Sequence, residues 1–388
     1  MDSITRTKMD NILAALEQSN RICQVDLSPV MRSQFGRILA LMQVPFPELT
    51  RLRLMSDEAK PVDPIPDSFL GGSAPPRLQT FELRGIQFRG LPKLLSSATH
   101  VVELRLDDIP HSGYISPDAM VTLISVLSSL RTLFLRFVSP QFRPDWESQS
   151  LPAPERSIVP ALHEFNFRGV TDYLEDFLTR IDVPQLDIMD ITFLNKFNFG
   201  CPRLVQFINS TPKLRTLDEV HVQLSSIKLR YRTSEPNFYN LLIRIPDKEP
   251  YGQLSSIEQV CNLNSSLQPL SMVVNFYIEH EYWYHYIDWK KDANENALWL
   301  QLLLPYTAVT NLHLSHKFAP SIAAALQELV CARITEVLPS QQNIFVEVPG
   351  PLEPFQEIFG QFVTARQLSG HPVAIMLKKR FPVAYRRA

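Results

Sequence analysis

The stretch THVVELRLDDI, Thr99 to Ile109, places apolar side chains at Val101, Leu104 and Leu106. A gap of three followed by a gap of two fits neither the 3.6-residue period of an amphipathic helix nor the alternation of a half-buried strand. SSLRTLFLRFV, Ser128 to Val138, repeats the spacing at Leu130, Leu133 and Leu135. Further copies begin at Ile22 (with Val25 and Leu27), Leu49 (Leu52, Leu54), Leu78 (Phe81, Leu83), Leu162 (Phe165, Phe167) and Leu186 (Met189, Ile191). One more begins at Leu214, with Leu217 and then a slipped Val220. Successive frames lie 23 to 32 residues apart.

That period is the period of leucine-rich repeats, in which a short parallel strand points its second and third apolar residues inward and the chain returns on the outside. The intervening segments supply helices for that return. SPDAMVTLISVLSS offers Ser116 as N-cap and Pro117 at the first helical position, with Met120, Val121, Ile124 and Leu127 on one face. TDYLEDFLTRI spaces Leu174, Phe177, Leu178 and Ile181 at i, i+3, i+4 and i+7. Five frames carry a proline two residues ahead: Pro47, Pro76, Pro160, Pro184 and Pro212. Proline closes the preceding helix and marks the corner into the strand. The expected fold is therefore an α/β leucine-rich-repeat solenoid, with a curved parallel sheet inside and helices outside.

Residues 1–21 read as an N-terminal capping helix, centred on Met9 to Glu17, and residues 22–224 as the regular repeats. Residues 225–388 read as degenerate repeats and a C-terminal cap. Frames return there at Val309, Leu312 and Leu314 and at Gln341, Ile344 and Val346, and NFYNLLIRI and SMVVNFYIEHEYW have strand composition. Two proline-rich interruptions, 57–76 and 139–160, read as long rim loops, mobile or contacting a partner through Phe142 and Trp146.

Composition narrows the function classes. With 38 basic and 40 acidic residues and a formal charge of −2, the chain has no basic stripe for nucleic acid or anionic lipid. No window approaches the roughly 20 apolar residues of a membrane span, and the N-terminus lacks the apolar core of a secretion signal. An intracellular protein, cytoplasmic or nuclear, is expected. The four cysteines are too far apart for CxxC metal or redox chemistry and read as buried reduced thiols. HEYWYHYIDW opens like a zinc-protease motif, but His280 and His285 are five apart where a helical face needs four. A hydrolase built on that pair is the rival reading. No phosphate loop or nucleophile elbow is present, so neither catalytic residues nor a cofactor or metal are expected.

What remains is the face formed by the outward residues. The position between the last two apolar residues of each frame gives Asp26, Arg53, Glu82, Arg105, Phe134, Asn166 and Asp190. Two residues further on stand Ser28, Met55, Arg84, Asp107, Arg136, Arg168 and Thr192. Alternating charge in the first column suits cross-strand pairing. Phe134 flanked by Arg136 and Arg168 has the composition of an interface hot spot, unless Glu164 neutralises Arg168. The candidate partner-binding residues are Phe134, Arg136, Arg168, Arg105, Asn166 and Asp190.

Longer phrases carry a family likeness. PFPELTRLRL, DSFLGGSAPPRLQTFELRGIQFRGLPKLLSSATHVVELRL, IPHSGYISPDAMVTLISVLSSLRTL and FVTARQLSGHPVAIML resemble the leucine-rich region of the F-box protein families of mushroom-forming fungi, over most of residues 10 to 379. The resemblance implies a substrate receptor: the F-box docks on the adaptor of a cullin-based ubiquitin ligase, and the repeats hold an unidentified protein target. Only 21 residues precede the first frame, and no Leu-Pro-Pro-Glu-like opening occurs. Contact with the ligase adaptor would then need an F-box supplied elsewhere. The alternative is an interaction scaffold unconnected to ubiquitin.

Overall fold

The computed structural model describes residues 6–28, 32–56, 64–140, 156–195, 201–223, 226–230, 239–245, 261–262, 267–279, 295–329, 334–348 and 358–379. The chain divides into two compact units, Met1–Asn195 with Pro202–Phe207, and Lys196–Cys201 with Ile208–Ala388.

In the first unit, the strands β1 (Gln24–Leu27), β2 (Arg51–Met55), β3 (Thr80–Arg84), β4 (Glu103–Ile109) and β5 (Thr132–Phe137) pair in sequence order, all parallel. β6 (Ser157–Ile158) and β8 (Ile181–Asp182) form a separate short ladder, while β7 (Glu164–Gly169) and β9 (Ile188–Phe193) continue the main sheet. The second and third positions of each frame in this unit fall into register: Val25 beside Leu52, Leu52 beside Phe81, and so to Phe165 beside Met189. The second and third apolar residues of these seven frames are at most 7% exposed. Parallel strands in this order require each return segment to cross on the other side, where helices Pro117–Val126 and Thr171–Leu178 pack together. Ser116 caps the first of them, its hydroxyl accepting from the Ala119 amide at 3.2 Å.

The prolines have a sharper role than closing helices. The amides of Leu49, Leu78, Leu162 and Leu186 donate to the carbonyls of Phe46, Pro75, Val159 and Val183, three residues back. Pro47, Pro76, Pro160 and Pro184 are thus the second residue of a tight turn, where a fixed φ near −65° is already correct. Each turn delivers the next residue to the preceding rung: Thr50 N–H donates to Cys23 O, Gln79 to Thr50, Val102 to Gln79, Arg131 to Val102 and His163 to Arg131.

In the second unit, β10 (Glu219–Gln223) is flanked on one side by antiparallel β11 (Ser226–Arg230), which pairs with antiparallel β12 (Leu241–Arg244). On its other side run parallel β13 (Asn275–Ile278), β14 (Asn311–Leu314), β15 (Asn343–Val348) and β16 (Ala374–Lys379). Val220 and Val222 align with Phe276 and Ile278, then with Leu312 and Leu314. The frame at this rung is therefore Leu217, Val220 and Val222, three residues beyond the frame expected from Leu214, which instead lies buried in a short 3-10 turn. Val273, Phe276 and Ile278 form a further frame. An amide row runs beneath: Asn311 donates to Asn275 at 2.8 Å and Asn343 to Asn311 at 2.9 Å. The sequence boundary between residues 224 and 225 falls between the paired strands β10 and β11.

Near the C-terminal end the fully buried Arg366, on helix Gly360–Leu368, donates to the carbonyls of Ile334, Leu338, Pro339 and Gln341 at 3.2 to 3.4 Å. Gln341, 3% exposed, occupies the first apolar position of its frame.

Two expectations are corrected. The segment 64–76 is no loose rim loop: Ile65, Phe69 and Leu70 are buried, and Leu70 N–H donates to Met42 O at 2.7 Å. Leu70, Gly71 and Gly72 all have positive φ, and a Cβ at Gly71 would lie 2.8 Å from Pro45, which is why LGGSAPP needs its glycine there. Cys201 and Cys261 are buried thiols, but Cys23 is exposed because it faces outward between Ile22 and Val25; Cys331 lies outside the described residues. Among the described residues no helix is long and apolar enough to cross a membrane.

Truncating the central rung should show which column carries stability. Leu133→Ala, at a fully buried site, is expected to lower unfolding free energy by about 2–5 kcal/mol. Arg131→Ala, exposed two residues earlier, should stay within about 0.5 kcal/mol in the same urea titration.

Candidate functional site

The outward column of the first unit is laid down by strand register. Asp26, Arg53, Glu82, Arg105, Phe134, Asn166 and Asp190 are successive partners across β1, β2, β3, β4, β5, β7 and β9. At its start Arg53 lies 3.6 Å from Asp26 and 3.2 Å from Glu82. Arg105 departs from that alternation: it pairs with Glu103 on its own strand, and its guanidinium sits 3.9 Å over the Phe134 ring. Phe134 is consequently only 9% exposed, an aromatic floor under a cation and not an open anchor.

Arg136 is paired with Asp107, its neighbour in the second column, and Arg168 with Asp108, an acid the sequence did not suggest. Register in β4 shifts between Leu106 and Ile109, and Asp108 takes φ of 50°. That bulge turns two consecutive aspartates onto one face. Arg136 lies 3.5 Å from Asp107 and Arg168 3.8 Å from Asp108, while Arg84 Nε donates to Asp108 at 2.8 Å. Burial pushes the Asp107 carboxyl above its usual value, opposed mainly by Arg136. Glu164 accepts from Asn166 at 2.8 Å. The six candidate residues thus share one surface, built of arginines held over acids and a ring.

The second unit carries a different face at the same frame position. His221, Tyr277, His313, Phe345 and Met376 are successive partners across β10, β13, β14, β15 and β16. Their rings stack nearly parallel: 4.2 Å and 3° for His221 on Tyr277, 4.1 Å and 9° for Tyr277 on His313, 4.4 Å and 7° for His313 on Phe345. Lys378 Nζ lies 5.6 Å from the Phe345 ring centre, and Met376 is 41% exposed. Burial, with Lys378 beside it, lowers the His313 pKa to about 4, so that ring is neutral at physiological pH.

At the β10 end, charge gathers around His221. Its Nε2 is 2.7 Å from Glu219 Oε1 and its Nδ1 2.8 Å from Glu279 Oε1. Arg230 Nε donates to Glu219 at 2.7 Å, Gln223 to Glu279 at 3.2 Å and Lys228 to Gln223 at 2.9 Å. Tyr239 meets His221 edge to face at 5.7 Å.

The sequence reading missed this row because its column stopped at Asp190. Its signal is present: each ring stands between two apolar frame residues, as in Val220-His221-Val222 and Leu312-His313-Leu314. His280 and His285, and Phe142 and Trp146, lie outside the described residues. Among the described residues no group of three His, Cys, Asp or Glu side chains is placed to hold a metal ion.

No family model matches the chain, and no curated protein does. The leucine-rich repeat-containing protein LegL7 from Legionella pneumophila is similar at 14% identity over 89% of each chain, with a TM-score of 0.29. The repeat assignment rests on this chain's own frames and strand register.

The stack of Arg105 on Phe134 is testable by a double-mutant cycle with Arg105→Ala and Phe134→Leu. A coupling energy of about 0.5–1 kcal/mol in thermal or urea unfolding is expected. Strict additivity would show that the two side chains merely adjoin.

Proposed function

We propose that this chain is a non-enzymatic recognition module that binds another protein through its outward strand residues, and that it is the target-holding part of an F-box receptor for a cullin-based ubiquitin ligase. The observation that carries the binding half is the ring row His221, Tyr277, His313 and Phe345, ending in exposed Met376. Aromatic residues and methionine are enriched in interface cores. Rings already stacked on one another also have little rotamer freedom left to lose when a partner arrives. Their faces are mutually covered and His221 is buried, so what the row offers is the edges of the half-buried Tyr277, His313 and Phe345.

In the first unit, Arg105, Arg136 and Arg168 are 34%, 43% and 35% exposed while each is held by an acid. Arginines fixed in this way lose less freedom on contact, and suit a second, polar contact region. The ligase half of the proposal is supported by the family resemblance of the long sequence phrases.

Capture from a fungal lysate on immobilised protein tests both halves. The Tyr277→Ala/Phe345→Ala variant should lose a protein retained by the parent by at least about tenfold, the scale of a single hot spot. The Phe134→Ala/Arg136→Ala/Arg168→Ala variant should lose it less steeply. Unchanged capture by both variants, with folding verified by circular dichroism, would remove these faces from consideration. Ligase adaptor and cullin in the eluate support the receptor reading; a retained target without them leaves an interaction scaffold.

A further inference from the structure

His221 stands between two carboxylates, with each ring nitrogen within hydrogen-bond distance of one of them, 2.7 Å from Glu219 and 2.8 Å from Glu279. A neutral imidazole carries a single N–H. It can donate to one of these oxygens, and its remaining lone pair would then face the other carboxylate. Only the imidazolium donates in both directions.

The proton could sit on a carboxyl group instead, but the surroundings oppose this. Glu219, 3% exposed, also accepts from Arg230, and Glu279 accepts from Gln223 with Lys228 nearby. Among the described residues, the charged and titratable groups around His221 are Glu219 on its own strand, Lys228 and Arg230 on β11, Tyr239 before β12, Tyr277 and Glu279 at β13, and His313 on β14. The Tyr277 face at 4.2 Å adds a π surface for the cation.

We propose that His221 is a proton-operated latch: as an imidazolium it ties buried Glu219 to Glu279 and fixes the end of the ring row, and on losing its proton it releases Glu279. Glu279 is the carboxylate that leaves, because Glu219 keeps Arg230 and is enclosed, whereas the Glu279 side chain is 38% exposed. With the proton in place, His221 and Arg230 balance the two glutamates. Without it the face beside Tyr277 is one positive charge poorer, with Lys228 still near Glu279. The regulatory meaning rests on the ring row being a binding face; the protonation state of His221 does not.

The titration directions agree with this geometry. Burial disfavours the charged imidazole, but the hydrogen bonds to Glu219 and Glu279 outweigh it and raise the His221 pKa above 6.5. Burial likewise opposes ionised Glu219 and Glu279, yet their hydrogen bonds hold both below 4.5. The His221 contribution to stability is thus fully present below 6.5 and is lost as pH rises through the raised value. The glutamate contribution is present above 4.5 and is lost as pH falls through the lowered values. His313, lowered to about 4, has the opposite sign to His221: its burial costs stability as pH falls from 6.5. Bulk unfolding alone would mix the two.

A site-resolved titration separates them. The full chain, labelled with ring-15N histidine, is followed by long-range proton–nitrogen correlation; the His221 signal is the one absent from His221→Gln. The expected result is a doubly protonated ring with a midpoint above 6.5, and a lower midpoint in Glu279→Gln, whose half-exposed site tolerates substitution. Should His221→Gln not fold, the signal displaced in Glu279→Gln makes the assignment. A single-N–H ring below pH 6.5, or a midpoint unmoved by Glu279→Gln, overturns the latch. A target captured below the midpoint and released above it supports regulation; capture unchanged across the midpoint overturns that role. If no target is captured at any pH, the binding-face reading fails while the titration still decides the latch.

Discussion

Register between neighbouring strands is the constraint on which everything else in each unit depends. A shift of one residue would exchange the buried and outward sets of a whole strand, since side chains alternate along it. Leu104 would then face water and Arg105 the core. Two devices prevent this. The turn before each strand hands an amide to the carbonyl one rung back, as Val102 does to Gln79, and the apolar pair behind it admits no polar substitute without a desolvation cost of several kcal/mol. Once both hold, the outward residues are arranged in columns whatever their identity.

The two columns use that arrangement for different physics. Around Arg105, Arg136 and Arg168, cations lie on acids and on a ring, and the favourable terms are Coulombic contacts at partly exposed sites, each worth at most about 1 kcal/mol. From His221 to Phe345, the favourable term is dispersion between ring faces little more than 4 Å apart, which salt does not screen. The first column answers to ionic strength and the second chiefly to shape and to the proton on its first member.

Much of the fold was legible because the frame is short and strict. The apolar pairs from Val25 to Ile191 and the whole column from Asp26 to Asp190 could be written down from spacing alone. Asp108 could not: a β bulge with positive φ at a non-glycine residue leaves no mark in the hydrophobic pattern, and it sets the partners of Arg84 and Arg168. The ring row was hidden by a displacement of three residues at Leu217. The antiparallel strands β11 and β12 then stretch the interval from Leu217 to the next frame at Val273 well beyond that of any earlier repeat. Local spacing identifies a rung, but an inserted pair of strands breaks the count that links one rung to the next.

Arg366 gives the rung at β15 a direction in time. The carbonyls of Ile334, Leu338, Pro339 and Gln341 find their donor in a side chain 25 to 32 residues downstream. During synthesis those carbonyls leave the ribosome first: the Gln341 amide can reach Leu338 O at once, but the guanidinium that serves all four arrives only with residue 366. The Gly360–Leu368 helix must emerge before the turn can close, and it then desolvates its cation and four acceptors in one step. The rungs of the first unit, by contrast, are joined by amides of the very next repeat, as Val102 joins Gln79 and Arg131 joins Val102. A ribosome stalled before residue 366 would thus hold a protein whose turn ahead of β15 still lacks its guanidinium donor.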